Sequence, residues 1–139
     1  PFSGLPDTGI VWVDYVPKEE FKEFANIQLN IKQNKRTEAM EKLVTLFDTR
    51  EIYIADMCRY QHAWLSFLQD ETESAKVQLQ SILHETIFKE LAHIFLAEIL
   101  DYIDKDVSRA IDSYLEFLER YPNSIYYDDV RLRLRELAS

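Results

Sequence analysis

Apolar side chains recur at steps of three and four along most of this chain, which is the spacing of one helix face. Residues 18–120 include neither glycine nor proline, so they lack the turn residues that a β-sandwich or barrel needs every few positions. The stretch is rich in the good helix formers Leu, Ala, Glu, Lys, Gln and Arg. We therefore expect an all-α fold with helices at residues 18–33, 37–48, 51–69, 72–84, 86–103, 106–120 and 124–137.

The first seventeen residues follow a different pattern. Residues 10–13 and 15–16 are β-branched or aromatic, and both glycines and three of the four prolines fall in this segment. We expect residues 1–17 to form an extended N-terminal arm, or one strand that needs a partner outside this fragment, and residues 18–139 to form the helical domain.

Helix starts are predicted from capping residues, because glycine is missing from the helical part. A capping box is predicted at Asp70 and Glu73, since their spacing of three suits reciprocal bonds at a first turn. Single N-caps are predicted at four further residues: Thr37, Thr86, Asp106 and Ser124.

Small residues recur at an interval of about 35. Ala39, Ala75 and Ala110 are separated by 36 and then 35 residues, and Ala63 and Ala97 by 34. Large apolar residues follow the first three alanines at four and seven positions: Leu43, Leu79 and Tyr114, then Leu46, Ile82 and Phe117. Two helices approach closely only where a small side chain admits the facing ridge, so this pattern predicts packed helix pairs.

The pattern resembles the tetratricopeptide repeat (TPR), whose pairs of antiparallel helices close on Ala-x3-Tyr/Phe and then Pro. Ala110, Tyr114, Phe117 and Pro122 keep that spacing, and residues 114–124 look like the repeats of bacterial envelope TPR proteins. The resemblance implies about three TPR-like pairs plus a C-terminal capping helix, forming a short right-handed superhelix. A plain helical bundle is the alternative.

Charge and composition narrow the classes of partner. The 139 residues have a net charge of −9, which disfavours a nucleic-acid partner. The longest apolar runs of four or five residues predict no integral membrane segment. The sequence starts at Pro1 without a Met, so we expect a processed or excised form.

Candidate chemical groups are sparse. His62, His84 and His93 lack the spacing of metal ligands, so no metal site is expected. Cys58 is expected to be a buried thiol rather than a nucleophile. Without a glycine-rich loop in the helical part, and with paired carboxylates only at first turns and loops, we expect no catalytic residue, no cofactor and no enzyme activity. Clustered cations are better explained by solvation and helix dipoles than by an anion site: Lys32, Lys35 and Arg36, and Arg131, Arg133 and Arg135.

Aromatic residues are the more informative feature. One face of the third helix carries an aromatic stripe, and apolar residues of the first and fifth helices continue it on a concave side. The predicted partner-binding residues are Phe21, Phe24, Met57, Tyr60, Trp64, Phe67, Leu91 and Ile94. The alternative is that these side chains simply form the core.

Two functions follow as hypotheses. The first is a non-catalytic scaffold that binds a protein or peptide on this aromatic face. The alternative is a structural helical domain of a larger envelope or multidomain protein, with Trp12 or Tyr15 of its own arm packed in the groove. The TPR clamp for two carboxylates is not matched, because our register places Phe24, Gln28, Gln61, Leu91 and Phe95 there. The envelope resemblance implies a periplasmic location, with the cytoplasm as the alternative, and the oligomeric state is open.

Overall fold

The computed structural model describes residues 19–139, and the regular structure in that range is entirely helical, as predicted. The predicted arm at residues 1–17 and its docking lie outside the described residues. Seven α-helices and one π-helical turn (Ile99–Ile103) make up the described range; the α-helices are α1 (Glu19–Lys32), α2 (Arg36–Val44), α3 (Ile52–Leu68), α4 (Thr72–Gln80), α5 (Ile87–Glu98), α6 (Val107–Arg120) and α7 (Tyr127–Ala138).

Of the predicted caps, the one at Asp106 is confirmed, because its side chain accepts a hydrogen bond from the Arg109 backbone N–H. The capping box is wrong: Asp70 has a φ of 62° and lies outside α4, whose N-cap position is Glu71. Thr37 is also wrong, since α2 already begins at the preceding residue and no side chain caps it.

The other two predicted caps bond differently. Thr86 directly precedes α5, but its hydroxyl donates to the Asp56 carboxylate at 2.7 Å. Ser124 accepts from the Tyr126 N–H at 3.1 Å, which forms a local turn and delays α7 to Tyr127. Serine and threonine therefore act here in loops rather than at helix starts.

Two compact units make up the described residues, one up to Lys89 and the other from Glu90 to Ser139. In the first unit, α1 packs on α2, α2 on α3, and α3 on α4, with a further contact between α1 and α3. In the second unit, α6 packs on α7 and on the π-helical turn. The core of the second unit consists of Ile94, Ala97, Leu100, Ala110, Tyr114, Phe117 and Val130.

The connections that precede α2, α4 and α6 share one backbone design. Each contains a residue with positive φ, namely Asn34 (62°), Asp70 (62°) and Lys105 (53°). The next residue bonds its N–H back to the end of the preceding helix: Lys35 to the Asn30 carbonyl, Glu71 to Ser66 and Asp106 to Leu100. Asparagine and aspartate tolerate positive φ, which explains how the glycine-free stretch 18–120 still turns at Asn34 and Asp70.

Alanine follows each of these turns at the same offset. The N–H groups of Ala39, Ala75 and Ala110 bond to the carbonyl of the residue just after the positive-φ position, at 3.0, 3.0 and 2.9 Å. All three side chains are fully buried, as are Ala63 and Ala97. The six large apolar residues that follow them at four and seven positions are buried too.

The π-helical turn accounts for the one irregular interval. Ala63 precedes Ala75 by 12 residues, whereas Ala97 precedes Ala110 by 13. The bond from Asp106 to Leu100 spans six residues, against five in the other two turns. The wider π turn absorbs the extra residue before α6 begins.

Candidate functional site

Most of the predicted partner-binding face is buried. Six of its eight residues are buried, and the other two are half-buried: Phe21, Phe24, Met57, Tyr60, Trp64 and Ile94, then Phe67 and Leu91. Tyr60, for example, packs its ring against Phe88 at 6.0 Å between centroids. This burial fits the alternative in which the stripe is core, and the partner-binding role of these residues stays a prediction.

One member of that set also lines an open cleft. The cleft, of about 360 Å³, lies in the first unit where α1 ends, α2 begins and the second half of α3 passes. Its apolar residues are Ile31, Trp64, Leu65 and Leu68, and its polar residues are Lys32, Asn34 and Arg36. Leu68 is 38% exposed, whereas Trp64 is 8% exposed. The cleft therefore presents an apolar floor at the first of the three positive-φ turns.

Two cations without carboxylate partners line the same cleft. Among residues 19–139, neither Lys32 nor Arg36 forms an ion pair. Lys32 lies in the last turn of α1, where the helix dipole favours a cation. Arg36 is the first residue of α2, at the positive end of that dipole, and Glu38 of the same turn does not pair with it. Dipole compensation thus explains Lys32 but not Arg36.

A buried amide pair joins α1 to α3 in the same unit. Gln28 donates from Nε2 to Oε1 of Gln61 at 2.6 Å, and Gln61 donates back at 2.8 Å. Both side chains are buried, so each amide satisfies the other. In the register that we aligned with the TPR, Gln28 and Gln61 occupy two positions of the carboxylate clamp. Here their reciprocal hydrogen bond holds α1 on α3.

A buried carboxylate pins the connection between α4 and α5. Asp56 of α3 is fully buried and accepts from the Thr86 hydroxyl, while Nδ1 of His84 lies 3.0 Å from its other oxygen. The sequence interpretation missed this contact because the partners are about thirty residues apart. The arrangement anchors a loop that has no regular structure of its own.

The second unit contains an ion pair at the π-helical turn between a buried carboxylate and a partly exposed guanidinium. Arg133 of α7 donates from Nε and Nη2 to the two carboxylate oxygens of Asp101, at 2.7 and 2.8 Å. The Tyr114 hydroxyl donates to the same carboxylate at 2.8 Å, and the Arg133 guanidinium lies over the Tyr102 ring. Two tyrosines, one from the π turn and one from α6, thus contact this charge pair.

The pKa values in this cluster follow from its geometry. Burial alone would raise the pKa of Asp101, but the hydrogen bonds from Arg133 and Tyr114 outweigh it and hold the pKa below its usual range. Burial, together with the bond to Asp101, raises the pKa of Tyr114 far above its ordinary value. Asp101 is therefore an anion at neutral pH and Tyr114 its neutral donor.

The two remaining histidines and the cysteine do not belong to the cleft or to the ion-pair cluster. His62 lies 2.6 Å from the Gln78 side chain, and His93 lies 3.1 Å from the Ser113 carbonyl. Cys58 is buried, and burial raises the pKa of its thiol to about 12. Across residues 19–139 no group of three His, Cys, Asp or Glu side chains is placed to hold a metal ion.

Comparisons with known proteins identify no relative. No family model matches the chain, and neither a curated protein nor a solved structure matches it. Within the described residues, no helix has the length and apolar character needed to cross a membrane.

Proposed function

We propose that this chain is a non-catalytic interaction module that binds a segment of another protein in the cleft of its first unit. The observation that carries the proposal is the cleft itself, where Trp64 and Leu68 offer apolar surface beside two cations that form no ion pair within residues 19–139. Its volume of about 360 Å³ suits a bulky side chain and its neighbours rather than a folded domain.

We further propose that the helices are TPR-like repeats that stack as a short superhelix. Three features recur together and support this: the positive-φ residue, the bond back to the preceding helix, and the buried alanine five positions on. Spacings of 36 and 35 between equivalent turns match the length of a TPR unit. Helical repeats commonly bind segments of other proteins, which agrees with the proposed role.

A random-peptide phage selection against the purified chain tests the proposed function. We expect enriched peptides whose binding is lost in Leu68→Gln and in Trp64→Ala, since both residues line the cleft. Val77→Gln is the matched control, because Val77 is an exposed apolar residue of α4 outside the cleft. Leu68→Gln keeps the test valid if Trp64→Ala fails to fold. An absence of enriched peptides, or peptides that bind Leu68→Gln as well as the wild type, would refute the proposal.

A second candidate function is a structural domain of a larger protein. The burial of six of the eight predicted partner residues favours it, because core aromatics need no partner. On this account the selection yields only peptides that are indifferent to Leu68→Gln.

A further inference from the structure

We infer that the segment bound in the cleft is acidic and apolar, with a carboxylate side chain beside a bulky apolar anchor. This inference rests on the proposed function and specifies the chemistry of its partner. The floor formed by Ile31, Trp64 and Leu68 takes the anchor, and the two cations take the carboxylates.

The charge distribution supports an acidic segment. The chain has 25 acidic and 16 basic residues, yet the described residues that line this cleft include two cations and no carboxylate. Lys32 and Arg36 both line the cleft and both lack an ion pair among the described residues.

The position of Arg36 strengthens the argument. A cation at the first residue of α2 is disfavoured by the helix dipole, and Arg36 forms no ion pair among the described residues. A ligand carboxylate there would meet both the guanidinium and the positive end of α2. A basic segment would meet two like charges, which disfavours binding.

The apolar floor sets the second requirement. Leu68 is 38% exposed, and Trp64 and Ile31 lie beside it at the base of the cleft. Covering apolar surface contributes about 25 cal/mol per Å². Exposed ion pairs contribute less, so the anchor supplies affinity while the carboxylates supply selectivity.

The experiment is the peptide selection repeated on a charge-reversed protein. Sequences selected by the wild type should be enriched in Asp or Glu next to a bulky apolar residue. Lys32→Glu/Arg36→Glu should weaken their binding about tenfold or more and should itself select peptides with Lys or Arg. The matched control is Arg109→Glu/Arg135→Glu, which reverses two exposed cations outside the cleft and should leave binding unchanged.

The outcomes separate the two claims. Peptides that depend on Leu68 but show no acidic enrichment, or that bind the charge-reversed protein equally well, would overturn the acidic partner and leave the proposed function standing. The absence of any Leu68-dependent peptide would overturn both.

Discussion

Two arginines, one in each unit, show how differently the same side chain is used. Arg133 donates to both oxygens of Asp101 and also to Glu136, and its guanidinium lies on the Tyr102 ring. Arg36 lines an open cleft and pairs with no carboxylate of the described residues. Arg133 therefore fastens α7 to the rest of the second unit, whereas Arg36 lines the cleft without an ion pair among the described residues.

The two units also differ by one residue in the spacing of their helices. The extra position between Ala97 and Ala110 is taken up by the π-helical turn, which contains Asp101. In the first unit the corresponding intervals are 12 residues, from Ile27 to Ala39 and from Ala63 to Ala75, and their connections contain no π turn. The insertion thus coincides with a buried carboxylate that the regular turns lack.

The largest expected effect is on stability, from Arg133→Ala. Removing the guanidinium leaves Asp101 buried with only the Tyr114 donor, so unfolding should cost about 3 kcal/mol less. Chemical denaturation with urea, followed by circular dichroism, measures this.

Arg36→Ala is the matched control for that experiment. Because Arg36 makes no ion pair in the described structure, its loss should change the free energy of unfolding by less than about 0.5 kcal/mol. Equal destabilisation by the two substitutions would contradict the contrast between Arg133, which pairs with Asp101, and Arg36, which forms no ion pair among the described residues.

The helix crossings provide the next effect in size. Ala75→Leu and Ala110→Leu each place a large side chain at a fully buried position, and each should cost roughly 1–3 kcal/mol. Ala25→Leu, at an exposed position of α1, is the control. Near-wild-type stability of both buried variants would show that these alanines do not mark close crossings.

The pH dependence of the free energy of unfolding tests the Asp101–Arg133 ion pair in a second way, with a smaller expected effect. The pKa of Asp101 is held below its usual value when the chain is folded, so its contribution is present above about pH 4 and is lost as the pH falls through the folded value. The stability difference between wild type and Asp101→Asn should therefore shrink as the pH falls below about 4. Urea denaturation at several pH values measures it, and a difference that grows with acidification would count against the ion pair.

Much of the fold was predictable from the sequence, because local signals specify helices. The glycine-free stretch and the three-and-four spacing predict α1 to α7 with ends that differ by only a few residues from those observed. The π-helical turn was not predicted. Its only sign in the sequence is that Ala63 and Ala97 are 34 residues apart whereas Ala75 and Ala110 are 35 apart, so the last helix pair is one residue longer. The positive-φ role of Lys105 has no composition signal, since lysine does not favour that conformation.

The candidate site was predictable only in part. Helical spacing identified Trp64 as a prominent aromatic, but burial of its neighbours depends on contacts between distant segments, which spacing alone does not reveal. The cations at Lys32 and Arg36 were interpreted as solvated charge, because an unpaired cation is recognisable only when its surroundings are known. The Gln28–Gln61 and Asp101–Arg133 pairs join residues 33 and 32 positions apart and were likewise beyond local inference.

The most direct test of the account is the indole N–H signal of Trp64 in a proton–nitrogen NMR spectrum, recorded while a selected peptide is added. The chain has two tryptophans, so a Trp12→Phe variant assigns the signal. Because Trp64 lines the cleft, its signal should shift and saturate with the peptide. In Lys32→Glu/Arg36→Glu the same shift should need about tenfold more of the acidic peptide, or more. A Trp64 signal that stays fixed while signals elsewhere in the protein move would contradict binding in the cleft.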